Sequence, residues 1–119
     1  KNLKKLQLYN NRLKNISVVS NLINLEYLDI NQNMIKNLNN IKNLNKLKIL
    51  CIGFNSLSDI SVIQYLTDLE TLDIRGLELK SDQIEYINSI KNPLNLWYKK
   101  AFKDINILKQ INKNIRLRF

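Results

Sequence analysis

Few side chains in this sequence are equipped for chemistry. Of 119 residues, one is cysteine (Cys51) and none is histidine. A cysteine nucleophile needs a histidine or a cation beside it to hold the thiolate. Cys51 has neither next to it along the chain, so an inert, half-buried thiol is expected. The missing histidine also excludes a Ser-His-Asp triad, a Cys-His pair and ordinary His/Cys zinc sites. A lone cysteine forms no internal disulfide, and two Gly with one Pro exclude a glycine-rich phosphate loop. Asp29 and Asp73 are the one carboxylate pair worth weighing. Two strand spacings apart they would stand about 9–10 Å from each other, a separation open to an inverting glycosidase. Nothing in the sequence signals a deep pocket around them. No catalytic, cofactor-binding or metal-binding residue is therefore assigned, and the chain reads as a protein that binds rather than catalyses. What remains is recognition, through Tyr, Trp and Arg, the side chains that most often anchor interfaces.

The elements that must position those anchors come from an internal repeat. Leu, Asn, Ile and Lys together fill more than half of the chain, a bias far from ordinary globular usage. Leu6, Leu28, Leu50, Leu72 and Leu94 recur with a 22-residue period, as do Leu8, Ile30, Ile52, Ile74 and Leu96. Leu25, Leu47 and Leu69 keep the same phase, and so do Ile35 and Leu57, Leu38 and Ile60, Ile41 and Ile63, and Leu44 and Leu66. Such a period marks a stack of identical coils. Within a coil, Leu6-Gln7-Leu8 alternates like a short strand with one buried face, whereas Ile16, Val19, Leu22 and Leu25 recur in strict threes. Threes suit 3₁₀ or extended turns better than an α-helix. The strands must stack in parallel. Asn11, Asn33 and Asn55 form a column at the strand exit, where an amide with two donors and an acceptor can satisfy open backbone groups. At Leu77 that ladder stops, so the fourth coil is expected to turn differently.

The unit Leu25-x-x-Leu28-x-Ile30-x-x-Asn33-x-Ile35-x-x-Leu38-x-x-Ile41-x-x-Leu44 resembles the 22-residue class of leucine-rich repeats. Eukaryotic phosphatase-regulator repeats and bacterial internalins belong to that class. Ser58-Asp59-Ile60-Ser61-Val62-Ile63 is similar to the internalin return segment, with Val62 where those proteins often carry Pro. The resemblance implies an α/β, right-handed solenoid with parallel strands on the concave face, 3₁₀ or extended turns on the convex face, and a helical C-terminal cap. Residues 1–80 are expected to form about 3.5 repeat coils, and 81–119 a degenerate last repeat with its cap, in the same domain.

In that last part, Ser81 or Asp82 is placed to start a helix whose buried side is Ile84, Ile87 and Ile90, ended at Lys91-Asn92-Pro93. Leu94-Asn95-Leu96 falls on the 22-residue register as a fifth strand. Tyr98 to Lys113 reads as an amphipathic helix presenting Phe102, Ile105, Leu108 and Ile111, and Ile115–Phe119 as a closing strand. Asn92-Pro93-Leu94 with Tyr98, Lys99, Lys100 and Phe102 partly resembles a cap motif of eukaryotic repeat proteins. The chain opens Lys1-Asn2-Leu3 with no initiator Met, so a piece of a longer protein is expected.

With the leucines inward, three columns face the concave side: Lys5, Tyr27, Ile49, Thr71; then Gln7, Asp29, Cys51, Asp73, Asn95; then Tyr9, Asn31, Gly53, Arg75, Trp97, with Phe54 just beyond. The expected partner-binding residues are Tyr9, Tyr27, Asp29, Ile49, Phe54, Asp73, Arg75 and Trp97, and the partner is a protein or peptide. The net charge of +9 is uneven, with eight basic residues against one acidic over 91–119. A basic tail that binds nucleic acid or an acidic surface is the less favoured reading, since Lys, Asn and Ile are the residues that A+T-rich coding accumulates. No apolar run reaches the ~18 residues of a membrane span. The chain is expected to be monomeric. Its compartment is left open between a cytoplasmic adaptor, slightly preferred, and a surface or secreted internalin-like adhesion module.

Overall fold

The protein, seen in a computed structural model, is described over residues 2–119, so Lys1 lies outside it. Six short strands form one parallel sheet in chain order: β1 (Lys5–Gln7), β2 (Tyr27–Asp29), β3 (Ile49–Cys51), β4 (Thr71–Asp73), β5 (Leu94–Trp97) and β6 (Ile115–Arg118). Leu6, Leu28, Leu50 and Leu72 stand opposite one another across the first four. Leu28, Leu50 and Leu72 are fully buried, as are Ile30, Ile52, Ile74, Leu25, Leu47 and Leu69. Each such burial stabilises by about 1.5–3 kcal/mol, and a one-residue slip would turn the whole set outward. The first coil is looser: Leu3 is exposed, and Leu6 and Leu8 are partly buried.

The return segments are 3₁₀ turns at Ser17–Val19, Asn39–Ile41 and Ser61–Tyr65, as the threefold spacing predicts. Each is opened by a side chain two residues ahead of its first amide. Asn15, Asn37 and Asp59 accept from the backbone N–H of Ser17, Asn39 and Ser61 at 2.6–2.8 Å, the local bond that makes Asn and Asp good turn formers. Asn15, Asn37 and Asp59 thus form a second polar column with the same 22-residue period as the first.

At the strand exits the backbone enters the left-handed region at Asn10, Gln32, Phe54, Gly76 and Lys100. Asn33 sits below this turn. Its Oδ1 accepts from the N–H of Asn11 and Leu13 in the preceding coil (2.9 Å each), and its Nδ2 donates to the carbonyls of Leu8, Ile30 and Asn31. Asn55 repeats this with Ile35, Ile30, Ile52 and Gly53. Asn11 does not: it is exposed, and its amide donates to Tyr9 O.

The fourth coil departs from the repeat. A 3₁₀ turn over Ser81–Gln83 runs into α1 (Ile84–Asn88), which buries Ile84 and Ile87, with Ile90 buried just after. Neither Ser81 nor Asp82 caps it; the turn is entered from Lys80 with no side-chain cap. Gln83 takes over the stitching, its buried Oε1 accepting from Ile60 N–H at 2.7 Å. The α-turn needs two more residues than a bare 3₁₀ turn, and the register moves accordingly. Leu72 pairs with Leu96, not Leu94, so the repeat slips by two positions here. The expected continuation of the 22-residue register into β5 is thus corrected.

The helix expected over Tyr98–Lys113 is absent. Phe102 bridges to Leu79, Asp104 accepts from Asn106 N–H, and a 3₁₀ turn spans Ile105–Gln110. Ile107 and Ile111 are buried, whereas Ile105 is 76% exposed. The spacing of Phe102, Ile105, Leu108 and Ile111 is the three-residue period of every other return segment. The tail is one more coil, a single position shorter than the repeat unit, and it carries β6 opposite β5 with Ile115 on Leu94. Among the described residues no helix is long and apolar enough to cross a membrane.

Candidate functional site

The shifted register redraws the concave face. Across it run Lys5, Tyr27, Ile49, Thr71, Asn95 and Arg116, and beside them Gln7, Asp29, Cys51, Asp73, Trp97 and Arg118. Trp97 therefore lies in the column of the two aspartates, opposite Asp73, and not beyond Arg75. Asn95 moves one column over, opposite Thr71. Arg116 and Arg118 stand on the sheet face rather than on a separate tail.

Tyr27, Ile49, Cys51, Thr71, Asp73, Arg75 and Trp97 line a shallow hollow of about 340 Å³ in the middle of the face. The Arg75 guanidinium lies between two rings, 6.0 Å from the centre of Phe54 and 5.7 Å from that of Trp97. Its Nε and Nη2 donate to Asp73 at 2.9 and 2.7 Å, and its N–H donates to the same carboxylate. Asp73, 4% exposed, also accepts from Asn31 Nδ2 at 3.1 Å. Arg75 is raised above its ordinary pKa chiefly by its side-chain bond to Asp73. The pair fixes the arginine plane as a rigid shelf.

Asp29 accepts from Asn31 N–H at 3.0 Å, so both aspartates are tied to one asparagine. Asp73 has both oxygens committed to hydrogen bonds, an arrangement for holding Arg75 rather than for moving protons. Asn31 Oδ1 receives Gly53 N–H at 2.6 Å. Asn31 and Gly53 belong to the third concave column of the sequence but are not among its expected partner-binding residues. The available signal was that one of only two glycines sits inside a repeat column.

Tyr27 borders the hollow with Lys5 Nζ 4.8 Å from its ring, and burial raises its hydroxyl pKa. Tyr9 is exposed on the first coil and does not line the hollow, nor does Asp29. The residues brought together are Tyr27, Ile49, Asp73, Arg75 and Trp97, with Phe54 against the arginine.

Burial, then Asp29 and Asp73, push the Cys51 thiol from 9.0 up to about 12, against a smaller opposing pull from Arg75. Native Cys51 should accordingly react with iodoacetamide at pH 8 about 10–100-fold more slowly than in the urea-unfolded chain, the lost thiolate fraction being partly offset by its greater basicity. Below pH 9 both states keep the proton. Between pH 9 and about 12 the unfolded chain ionises first, so stability contributed by this group is lost as pH rises through that window. Equal alkylation rates in the two states would contradict the buried thiol. Among the described residues no group of three or more His, Cys, Asp or Glu is placed to hold a metal ion.

A family model for leucine-rich repeats, covering two copies, matches residues 1–43. Among solved structures, an internalin from Listeria monocytogenes is 33% identical, with a TM-score of 0.86 over 98% of this chain and 35% of its own. Internalin C2 of the same organism is 36% identical, with a TM-score of 0.64 over 66% of this chain and 34% of its own. A leucine-rich-repeat protein of Leptospira interrogans, at 21% identity and a TM-score of 0.69, shares the fold over 99% of this chain and 37% of its own. No curated protein matches the sequence. The chain spans about a third of the length of the solved chains it is similar to. A fold of this kind is typical of protein–protein interaction modules. Coils stacked on one inward register, the repeat model over the first two of them and the superposition on internalin coils together make this chain a leucine-rich-repeat protein.

Proposed function

We propose that the chain is a recognition module that takes a partner protein or peptide on its concave sheet face. The observation that carries this is the hollow between Tyr27, Ile49 and Trp97, with Arg75 locked beside it by the buried Asp73. A solenoid that needed only a solvated sheet would place small polar residues there. This one holds a half-buried Tyr, Ile and Cys and a Trp that is 39% exposed. Rigid aromatic side chains around a fixed arginine are the composition of interface anchors. Phe54 adds to the case: from the left-handed turn that the strand exits share, it holds its ring 6.0 Å from the Arg75 guanidinium.

Affinity capture from native extract tests the proposal, with face variants as controls. Tyr27→Ala and Trp97→Ala should each weaken the captured complex by at least ~1 kcal/mol, about fivefold or more, with the melting curve little changed. Arg75→Ala is a poorer probe, because it strands Asp73 without its cation. Undiminished capture by the Tyr27/Trp97 double variant would overturn the assignment. A second reading, a surface or secreted recognition module of the internalin kind, is supported by the 33% identity over nearly the whole chain.

A further inference from the structure

We infer that the partner is a protein segment of acidic character, laid across the C-terminal half of the concave face with an aliphatic or aromatic side chain seated in the hollow. The inference rests on the concave-face reading above and adds the chemistry of what binds there. Its basis is where the corrected register puts the last strand. Arg116 stands opposite Asn95, and Arg118 opposite Trp97. Both arginines are exposed, and Arg118 is held over the sheet by Nε and Nη2 bonds to Asn95 Oδ1 at 3.3 and 3.2 Å. Neighbouring strands lie about 4.8 Å apart, so Arg118 stands one strand beyond Trp97, which lines the hollow, with Arg116 beside it on the same strand. Lys99 follows Arg75 along the next column, where Gly76 N–H bonds to Lys99 O.

The concave columns thus carry Lys5, Arg75, Lys99, Arg116 and Arg118 against Asp29 and Asp73. Asp73 is already neutralised by Arg75, and Arg116, Arg118 and Lys99 face solvent without a carboxylate in salt-bridge contact among the described residues. A uniform basic skin would not single out this edge. The hollow beside it does, because it offers a largely apolar lining next to a row of cations. A peptide with one large apolar residue flanked by Asp or Glu satisfies both halves, the apolar part by burial and the carboxylates by forked arginine contacts. A nucleic-acid strand fits less well. Its phosphates would need a continuous cationic track, whereas the cations gather at one end and the middle of the face carries Asp29 and Asp73.

The probe is a displayed library of random 12-residue peptides, selected against the whole chain at low salt. The expected pool has net negative charge and at least one large apolar residue. Synthetic peptides from it should bind at least tenfold more weakly to R116E/R118E, and at least fivefold more weakly at 300 mM than at 50 mM salt. Trp97→Ala should weaken them as well. A neutral or basic pool, or no enriched pool, overturns the inference. Loss with Trp97→Ala but none with R116E/R118E overturns the acidic partner while leaving the concave face intact. Loss with neither variant overturns both. Twelve-residue oligothymidine bound as tightly as the peptides, and released by R116E/R118E, would replace the peptide by nucleic acid. Circular dichroism checks that the variants fold; if R116E/R118E does not, R116Q/R118Q gives the same comparison with a smaller expected loss.

Discussion

Asn33→Ala should lower the free energy of unfolding by roughly 2–4 kcal/mol, while Asn11→Ala should change it by less than about 0.5 kcal/mol. The two residues occupy the same column of the repeat, yet the structure uses them differently. Asn33 is buried, and one amide closes the backbone groups of two coils: it accepts from Asn11 and Leu13 and donates to Leu8, Ile30 and Asn31. Removing it leaves several of these without a partner where water enters poorly, and each orphaned group costs about 1–3 kcal/mol. Not all are lost, since Ile30 O keeps its bond from Asn55 Nδ2 and Asn11 N–H is near solvent. The range is therefore set below the full sum. Asn11 donates to Tyr9 O at the surface, and water replaces it at little cost. Urea unfolding followed by circular dichroism reads both variants. Equal losses would mean that the ladder is incidental to the coil turns.

Gly53→Ala is the second large effect, and it reaches the binding face. A Cβ at Gly53 would stand 2.6 Å from Arg75 O and 3.1 Å from Arg75 N, both backbone atoms, and 3.3 Å from Asn31 Oδ1. Backbone cannot step aside as a side-chain tip can, so the exits of β3 and β4 must part. That overpacking should cost about 1–3 kcal/mol and tilt Arg75 off Asp73, reducing affinity along with stability. Gly76→Ala makes the useful contrast. It meets the Phe54 ring at 2.5 Å and requires a left-handed alanine (φ +75°). The ring can swing away, so the stability cost is mainly the backbone penalty of about 1–2 kcal/mol, and Arg75 loses one of its two rings while keeping its bonds to Asp73. Thermal unfolding and partner affinity together separate the cases. If Gly53→Ala binds normally at full stability, the tight packing around Arg75 is not what shapes the face.

Where the repeat keeps strict time, the fold can be read off the letters. Leu28, Leu50 and Leu72, with Ile30, Ile52 and Ile74, fall inside because a one-residue slip would expose six large side chains at once. The sheet order follows from the same columns. The fourth coil is marked at Leu77, and its helix is legible in Ile84 and Ile87, but its length is not: α1 adds two residues between Leu72 and Leu96, and nothing in Ile84–Asn88 states how many residues its turn consumes. That shift carried Trp97 from the column of Arg75 to that of Asp73. The tail escaped for a different reason. Phe102, Ile105, Leu108 and Ile111 fit one helix face about as well as a 3₁₀ return, and the Asn106 N–H donating to Asp104 Oδ1 opens the shorter turn. At the site, Tyr27, Ile49, Arg75 and Trp97 were visible as exposed types in strand positions. Asn31 was not, since its role depends on reaching Asp73 two coils away.

A nuclear magnetic resonance titration of the chain with its captured partner bears most directly on recognition through the concave face. The signals to follow are the Trp97 indole N–H and the Ile49 methyls in the hollow, against the exposed Val18 and Ile105 methyls on the return segments. The expected result is that Trp97 and Ile49 shift and saturate with partner while Val18 and Ile105 stay fixed. Shifts confined to Val18 and Ile105, with Trp97 and Ile49 unmoved at saturation, would contradict it.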